Sequence, residues 1–201
     1  TWKNLPGNPD AYEETFTIDA DYNNPLRVII SYYGEVHISQ DGGATFKKIH
    51  TAANNGTGII VGGVFFDGDA IYIGTNDGLL VSKNAGQTFA VETIAGITSG
   101  EAIWSCAGAK QNGTTRFFCI TGNANDMYVG RPGSDYDGFL KGVYVLDYGT
   151  GKWTKEMNGI ALGVDHLMFV RMAQNDISTC YLAGSCLYAP DIMKTTDGGY
   201  S

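Results

Sequence analysis

The chain has 201 residues, enough for one domain or one piece of a larger one, with 13 basic against 21 acidic side chains and a formal charge of −8. At 43% hydrophobic and 17% charged it is not a disordered tail, and without a basic cluster it is built for neither nucleic acid nor an anionic membrane. No run reaches the ~18 apolar residues of a membrane span, and no C-x-x-C pair, phosphate loop or Ser-His-Asp arrangement marks a metal, cofactor or nucleophile site, so neither metal nor cofactor is expected. Glycine, at 28 residues, is about twice its usual share; beside 12 Tyr and 9 Phe this indicates short strands joined by tight turns.

In chain order, Thr1-Trp2 opens without an initiator Met or signal peptide, which implies processing or excision from a longer chain. Thr15–Ile18 alternates, Asp19–Pro25 turns, and Val28–Ile30 is an apolar run. Val36–Ile38 leads into Ser39–Phe46, SQDGGATF, followed by Phe46–Ile49. Val61–Phe66 and Ile71–Ile73 flank Asp67-Gly68, a hairpin signal. Leu79–Val81 then leads into Ser82–Phe89, SKNAGQTF, and a strand to Thr93. Ile103–Ala107 and Phe117–Thr121 flank Gln111-Asn112-Gly113, and after a long insertion, Ala124–Phe139, come Val143–Leu146 and the degenerate DYGTGKW of Asp147–Trp153. His166–Val170, Gln174–Asp176, Tyr181–Ala183 and Ile192-Met193 lead to TTDGGYS at Thr195–Ser201. No long segment shows a 3.6-residue apolar period, so helix should be nearly absent.

The recurring unit is Ser/Thr-x-Asp-x-Gly-x-Thr/Ser-aromatic. Its aligned positions Thr1, Thr45, Thr88, Lys152 and Ser201 are 44, 43, 64 and 49 residues apart. A period of ~40–50 residues holding four short strands is that of a propeller blade. The expected fold is all-β: four blade repeats (about 1–44, 45–87, 88–151 and 152–201), from a propeller of six to eight blades. In the alternative, four blades close on themselves, with Trp2-Lys3-Asn4 paired to the strand at Ile192-Met193.

These repeats resemble Asp-box (BNR) repeats, as in sialidases, two-propeller xyloglucan-hydrolysing glycosidases and sortilin-type receptors. Asp21–Val28, DYNNPLRV, is also similar to the D-x-x-N-P-x-x-V turn of the latter two groups. The resemblance covers the whole chain as architecture and does not single out an activity. A sialidase is disfavoured, because Arg27, Arg116, Arg131 and Arg171 are the only arginines and none sits in an F/Y-R-I-P motif.

The box residues Ser39, Asp41, Gly43, Thr45 and Phe46, their counterparts Ser82, Asn84, Gly86, Thr88 and Phe89, and Thr195, Asp197 and Gly199 are expected to be structural. Asp, Asn, Ser and Thr side chains hold turn N–H groups, Gly43 and Gly86 supply positive φ, and Phe46, Phe89 and Trp153 lie between sheets. Asn84 can accept through its amide oxygen as Asp does.

In an antiparallel blade the connections between second and third strands share one end with the links between blades. The resemblance implies that ligands bind there. The insertion falls at that end and carries Asp126, Tyr128, Arg131, Asp135, Tyr136, Asp137 and Phe139; carboxylates serve glycoside cleavage, aromatic rings stack on sugars, and Arg131 suits an acidic group. Tyr32, Tyr33, Glu35, Asn76, Asp77, Tyr188 and Asp191 share the end, with Asp165 and His166 after a link.

The first functional expectation is a secreted or cell-surface polysaccharide-directed protein, in its enzymatic form a glycoside hydrolase or lyase. The second is a non-catalytic propeller recognising protein or glycan. Paired carboxylates ~5–9 Å apart in the central funnel would favour the enzyme, and a flat apolar patch on the open end the binder. Its partners would be a polysaccharide or glycan and the remaining blades. Two N-G-T sequons, at Asn55 and Asn112, read equally as glycan acceptors or as turns. Cys106 and Cys119 are symmetric about the 111–113 turn, which makes them cross-strand neighbours; a disulfide there is open but not required.

Overall fold

The computed structural model describes residues 1–5, 7–9, 13–127, 139–186 and 189–200. All named elements are strands, in four antiparallel sheets. The first sheet holds β1 (Thr17–Asp21), β2 (Asn24–Ser31), β3 (Glu35–Ser39) and β4 (Lys47–Thr51). The second holds β5 (Val61–Asp67), β6 (Ala70–Thr75), β7 (Gly78–Ser82) and β8 (Ala90–Glu92), and the third β9 (Glu101–Gln111), β10 (Thr114–Asn123), β11 (Leu140–Asp147) and β12 (Thr154–Lys155). The fourth has three strands among the described residues, β13 (Asp165–Ala173), β14 (Asp176–Cys186) and β15 (Ala189–Thr195), rather than the expected four. Within each sheet the strands lie in chain order.

The apolar cores lie between the sheets. In β6, Ile71 and Ile73 join Ile29, Val36 and Ile38 of the first sheet, while Tyr72 turns the other way and meets Cys106 and Phe117 of the third. In β10, Phe117 and Cys119 face the second sheet, whereas Phe118 and Ile120 meet Leu167, Val170 and Leu182 of the fourth. Alternation along a strand therefore feeds two cores at once. That is why the middle strands read as unbroken apolar runs. Sheets approach closely where their first strands meet: a Cβ on Gly63 would lie 2.0 Å from the Cys106 carbonyl oxygen.

The hairpin turns follow their sequence. Asn112 and Gly113 both take positive φ, 50° and 83°, as a two-residue Asn-Gly turn requires. Cys106 and Cys119 are register partners, as their symmetry implied. Both thiols are free and buried; burial pushes Cys106 up to about 12 and Cys119 well above its ordinary value.

The turn after each third strand is held by its own side chains. The Ser39 hydroxyl donates to Asp41 Oδ1 (2.8 Å) and accepts from the Gly43 N–H (2.8 Å). Asp41 also accepts from the Thr45 N–H (2.9 Å) and hydroxyl (2.6 Å). Ser82, Asn84, Gly86 and Thr88 repeat the pattern, with the Asn84 amide oxygen accepting from the Thr88 N–H (3.0 Å). Thr195, Asp197 and Gly199 do so again, Gly199 N–H donating to the Thr195 hydroxyl at 3.0 Å. Gly43 and Gly86 have φ of 88° and 87°. Gly86 also sits so close to the neighbouring sheet that a Cβ would meet Ile38 Cδ1 at 2.5 Å. The degenerate copy differs: Asp147 is drawn into a bidentate pair with Arg116 (2.6 and 2.9 Å). Trp153 is buried between the second and third sheets and Phe89 lies against the core between the first and second; Phe46, with no preceding sheet to lie against, is only half-buried.

Polar struts cross the seams. Arg27 and Asp21, both buried, form an ion pair; Arg27 also donates to the Gly68 carbonyl (2.6 Å) and lies over the Phe66 ring, tying the first sheet to the second. Trp2, Lys3 and Asn4 belong to no strand, and Trp2 is fully exposed, so the ladder that the four-blade closure needs is not made.

Two consequences can be measured. The Thr45 hydroxyl first, then the Thr45 N–H and Ser39, hold the Asp41 carboxyl down to about 2 from its ordinary 3.8. A carboxyl lowered by folding stabilises above its unfolded value, and that contribution fades as pH falls from the ordinary value towards about 2. Asp41→Asn should keep the turn, as Asn84 does, and lose less stability than the wild type between about pH 5 and about pH 2 in urea titrations; identical losses would remove Asp41 from the acid response. Arg27→Ala leaves Asp21 buried and unpaired and should cost about 3 kcal/mol in the same assay.

Candidate functional site

The connections β2–β3, β6–β7, β10–β11 and β14–β15 share one end with the links between sheets. Tyr128, Arg131, Asp135, Tyr136, Asp137 and Tyr188 lie outside the described residues. Both feet of the insertion are described. Met127 and Phe139 are buried against Ile60 and Trp104, with Tyr33 and Ala102 alongside. Phe139 meets Trp104 edge to face, ring centroids 4.7 Å apart at 81°. The Ala124 N–H donates to the Gly100 carbonyl at 2.9 Å, and Asp126 is exposed just beyond. The insertion thus stands on an aromatic footing shared by three sheets.

Beneath that footing the first strands of all four sheets converge. Two adjoining hollows of about 310 and 480 Å³ share Phe16, Thr17, Val61, Gly62 and Arg171. Trp104 and Phe169 line the first, Asp19 and Gln174 the second. Burial raises the Asp19 carboxyl above its ordinary value, and the Arg171 charge only partly offsets this. A shift in that direction is the one a proton-donating carboxyl needs. It is the one carboxylate lining either hollow among the described residues.

Asp77, Glu101 and Asp165, carboxylates at the loop-bearing end, serve as struts. Asp77 Oδ2 accepts from His50 Nε2 (2.7 Å) and the Ala53 N–H (2.9 Å). Burial works to raise Asp77, but those bonds outweigh it and its carboxyl is lowered. Asn76 bonds to Ile60 and Gly58 of the adjoining link. Glu101 likewise is raised by burial and lowered further by Thr121 (2.6 Å), Lys155 (3.1 Å) and Tyr144 (2.9 Å), which leaves it ionised. Asp165 accepts from the Ala161 N–H at 2.7 Å, and His166 is buried beside it in β13.

Tyr32 and Tyr33 come together in a separate cleft of about 380 Å³ on the first sheet, with Glu13, Glu35 and His37. Tyr32 is buried and its hydroxyl donates to Asn8; the Tyr33 hydroxyl donates to the Gly56 carbonyl at 3.0 Å. Residues not singled out from sequence therefore shape the site: Trp104, Asp19, Arg171 and His37. Trp104 and His37 sit in apolar strand runs, and Asp19 in a segment that reads as a turn, so no local pattern marks them.

Comparison with solved structures defines the class: the fold is that of a β-propeller. An ancestral GH74 enzyme superposes with TM-score 0.65 at 17% identity over 88% of this chain and 24% of its own. The Niastella koreensis GH74 enzyme gives 0.62 at 16% identity over 92% and 28%. The Neurospora crassa Pan2 WD40 domain gives 0.51 at 14% identity over 94% and 52%. The chain thus spans about a quarter of the length of the two GH74 enzymes. No family model and no curated protein sequence matches it.

Trp104→Ala should remove the footing of the insertion and cost ~3–5 kcal/mol in denaturant unfolding, with Trp104→Phe costing much less; a near-neutral Trp104→Ala would show that the aromatic contact is dispensable.

Proposed function

We propose that this chain is part of a secreted or cell-surface propeller of Asp-box repeats that takes a polysaccharide at its loop-bearing end, above the central hollow. The observation that carries this reading is the footing of the insertion, Met127 and Phe139 against Trp104 and Ile60, beside a hollow lined by Phe16, Trp104, Phe169 and Arg171, with the hollow that Asp19 lines adjoining it. Flat rings beside a few polar groups suit sugar faces and hydroxyls. The likeness in fold to two GH74 enzymes supports the class of ligand, and the self-bonded turns at Ser39, Ser82 and Thr195 support the Asp-box assignment. The reading includes further blades. The outward side of the fourth sheet leaves Ile192 and Tyr181 75% and 42% exposed, a pattern that an adjoining sheet would cover.

In the hydrolytic form Asp19 is the general acid, and the second carboxylate that such hydrolysis uses is not among the described lining residues. The non-catalytic form, recognition of glycan or protein, is favoured by the single carboxylate among the described lining residues.

Affinity electrophoresis through gels holding soluble plant or algal polysaccharides tests the reading. Retardation by at least one polysaccharide, lost when residues 128–138 are replaced by a Gly-Ser linker, is expected. No retardation by any of them would overturn it. New reducing ends in the same samples, abolished by Asp19→Asn without loss of retardation, would identify the hydrolase; retardation without new ends would identify the binder.

A further inference from the structure

The described arginines are not used alike. Arg27 is paired with Asp21 and Arg116 with Asp147, and both hold one part of the fold to another. Arg171, in β13, makes no ion pair among the described residues. Its Nη1 donates to the carbonyl of adjacent Val170 at 2.8 Å, and its other guanidinium N–H groups meet no acceptor among the described residues. The side chain is exposed, so those donors are open to a ligand.

The position of Arg171 selects which ligand. It lines both central hollows, and no other cation lines either of them. The carboxylate there, Asp19 of β1, feels the Arg171 charge without forming an ion pair with it, and burial disfavours its own charged form, so it answers the guanidinium only in part. The first hollow also presents the rings of Phe16, Trp104 and Phe169. A neutral sugar would use those rings and leave the guanidinium to water. A sugar bearing a carboxylate or a sulfate ester uses both, because the guanidinium fork can hold two oxygens of one oxyanion. The formal charge of −8 does not forbid this. Exposed charges farther away than about 8 Å are largely screened at physiological salt, so the groups lining the hollow decide.

We propose that the polysaccharide taken at the central hollow is anionic, with sugar rings against Phe16, Trp104 and Phe169 and a carboxylate or sulfate ester held by Arg171. The proposal rests on the polysaccharide reading above and makes Arg171 the residue that sets its specificity.

Affinity electrophoresis with matched pairs tests this: polygalacturonate against its fully methyl-esterified form, and dextran sulfate against dextran. Within each pair the sugar backbone is the same and the anionic group is what differs. At least one anionic member should bind about tenfold more tightly than its neutral twin. A preference for polygalacturonate assigns the group as a carboxylate, and one for dextran sulfate alone assigns a sulfate ester. Arg171→Gln should abolish the preference with the urea unfolding midpoint unchanged. Lys152→Gln removes the same charge at an exposed position outside the hollows and should leave the preference intact. Neutral twins that bind as tightly, a preference that survives Arg171→Gln, or one lost equally in Lys152→Gln would each overturn the proposal, and retardation by neutral polysaccharides would then leave the polysaccharide reading standing. No retardation by any polysaccharide, charged or neutral, would overturn that reading and this proposal with it.

Discussion

A sheet of four short strands has two faces and no interior, so each sheet here depends on its neighbours for a core. The seam between the first two sheets contains seven buried Ile, Val and Leu side chains, from Ile29 to Leu80. At ~1.5–3 kcal/mol for each fully buried side chain, an upper estimate, that burial far exceeds the roughly 1 kcal/mol of a typical hydrogen bond crossing the same seam. The polar struts therefore set alignment more than strength. Arg27 reaching Gly68, and His50 reaching Asp77, fix the two ends of one seam, so the apolar side chains between them meet in a single register. Gly86 completes the lock from the turn, since any side chain there would push Ile38 away.

The same dependence explains the two outward faces. On the first sheet, Ile30 and His37 are buried although no sheet lies beyond them, because the N-terminal segment crosses there: Asn8 meets the Tyr32 hydroxyl, and Gly7 lies against the backbone at Ala44. Ile18, beyond that segment's reach, is 70% exposed. The fourth sheet has no comparable cover among the described residues. Phe169, Ala183 and Ile192 are in register across β13, β14 and β15, and they form a continuous side matched to the inward one. The next row on that side, Arg171, Tyr181 and Lys194, is mixed, with the Lys194 ammonium over the Tyr181 ring.

Much of this was legible in the sequence because the information is local. The Asp-Gly and Asn-Gly turns, the alternation of β6 and β10, and the spacing of the Ser-x-Asp-x-Gly units each specify a few residues of backbone, and the antiparallel order follows from short connections. The paired positions of Cys106 and Cys119 followed from turn symmetry alone. Strand ends were less legible: β9 and β10 run to eleven and ten residues, past the ends of the apolar runs at Ile103–Ala107 and Phe117–Thr121, because ladder bonds continue wherever a partner strand does. The degenerate turn at Asp147 kept the spacing but not the bonding, since Arg116 on the adjacent strand competes for its carboxylate with two charge-assisted bonds.

The site was less legible because it is assembled from residues far apart in the chain. Phe16, Val61, Trp104 and Arg171 come from four different sheets, and nothing in the neighbourhood of each announces the others. The physical distinction between struts and ligand-facing groups lies in hydrogen-bond satisfaction, which residue type alone does not carry. Asp21, Asp77, Glu101 and Asp147 have their oxygens engaged by cations, hydroxyls or backbone N–H groups, and each holds one part of the fold to another. Asp19 accepts no hydrogen bond among the described residues, and His37 keeps one nitrogen unmatched. Both sit on hollows rather than seams. A polar group withdrawn from water without a partner carries a desolvation cost; half-buried Asp19 bears part of it beside a hollow, whereas Asp191 Oδ2 and His37 Nδ1 bear it where no solvent reaches them.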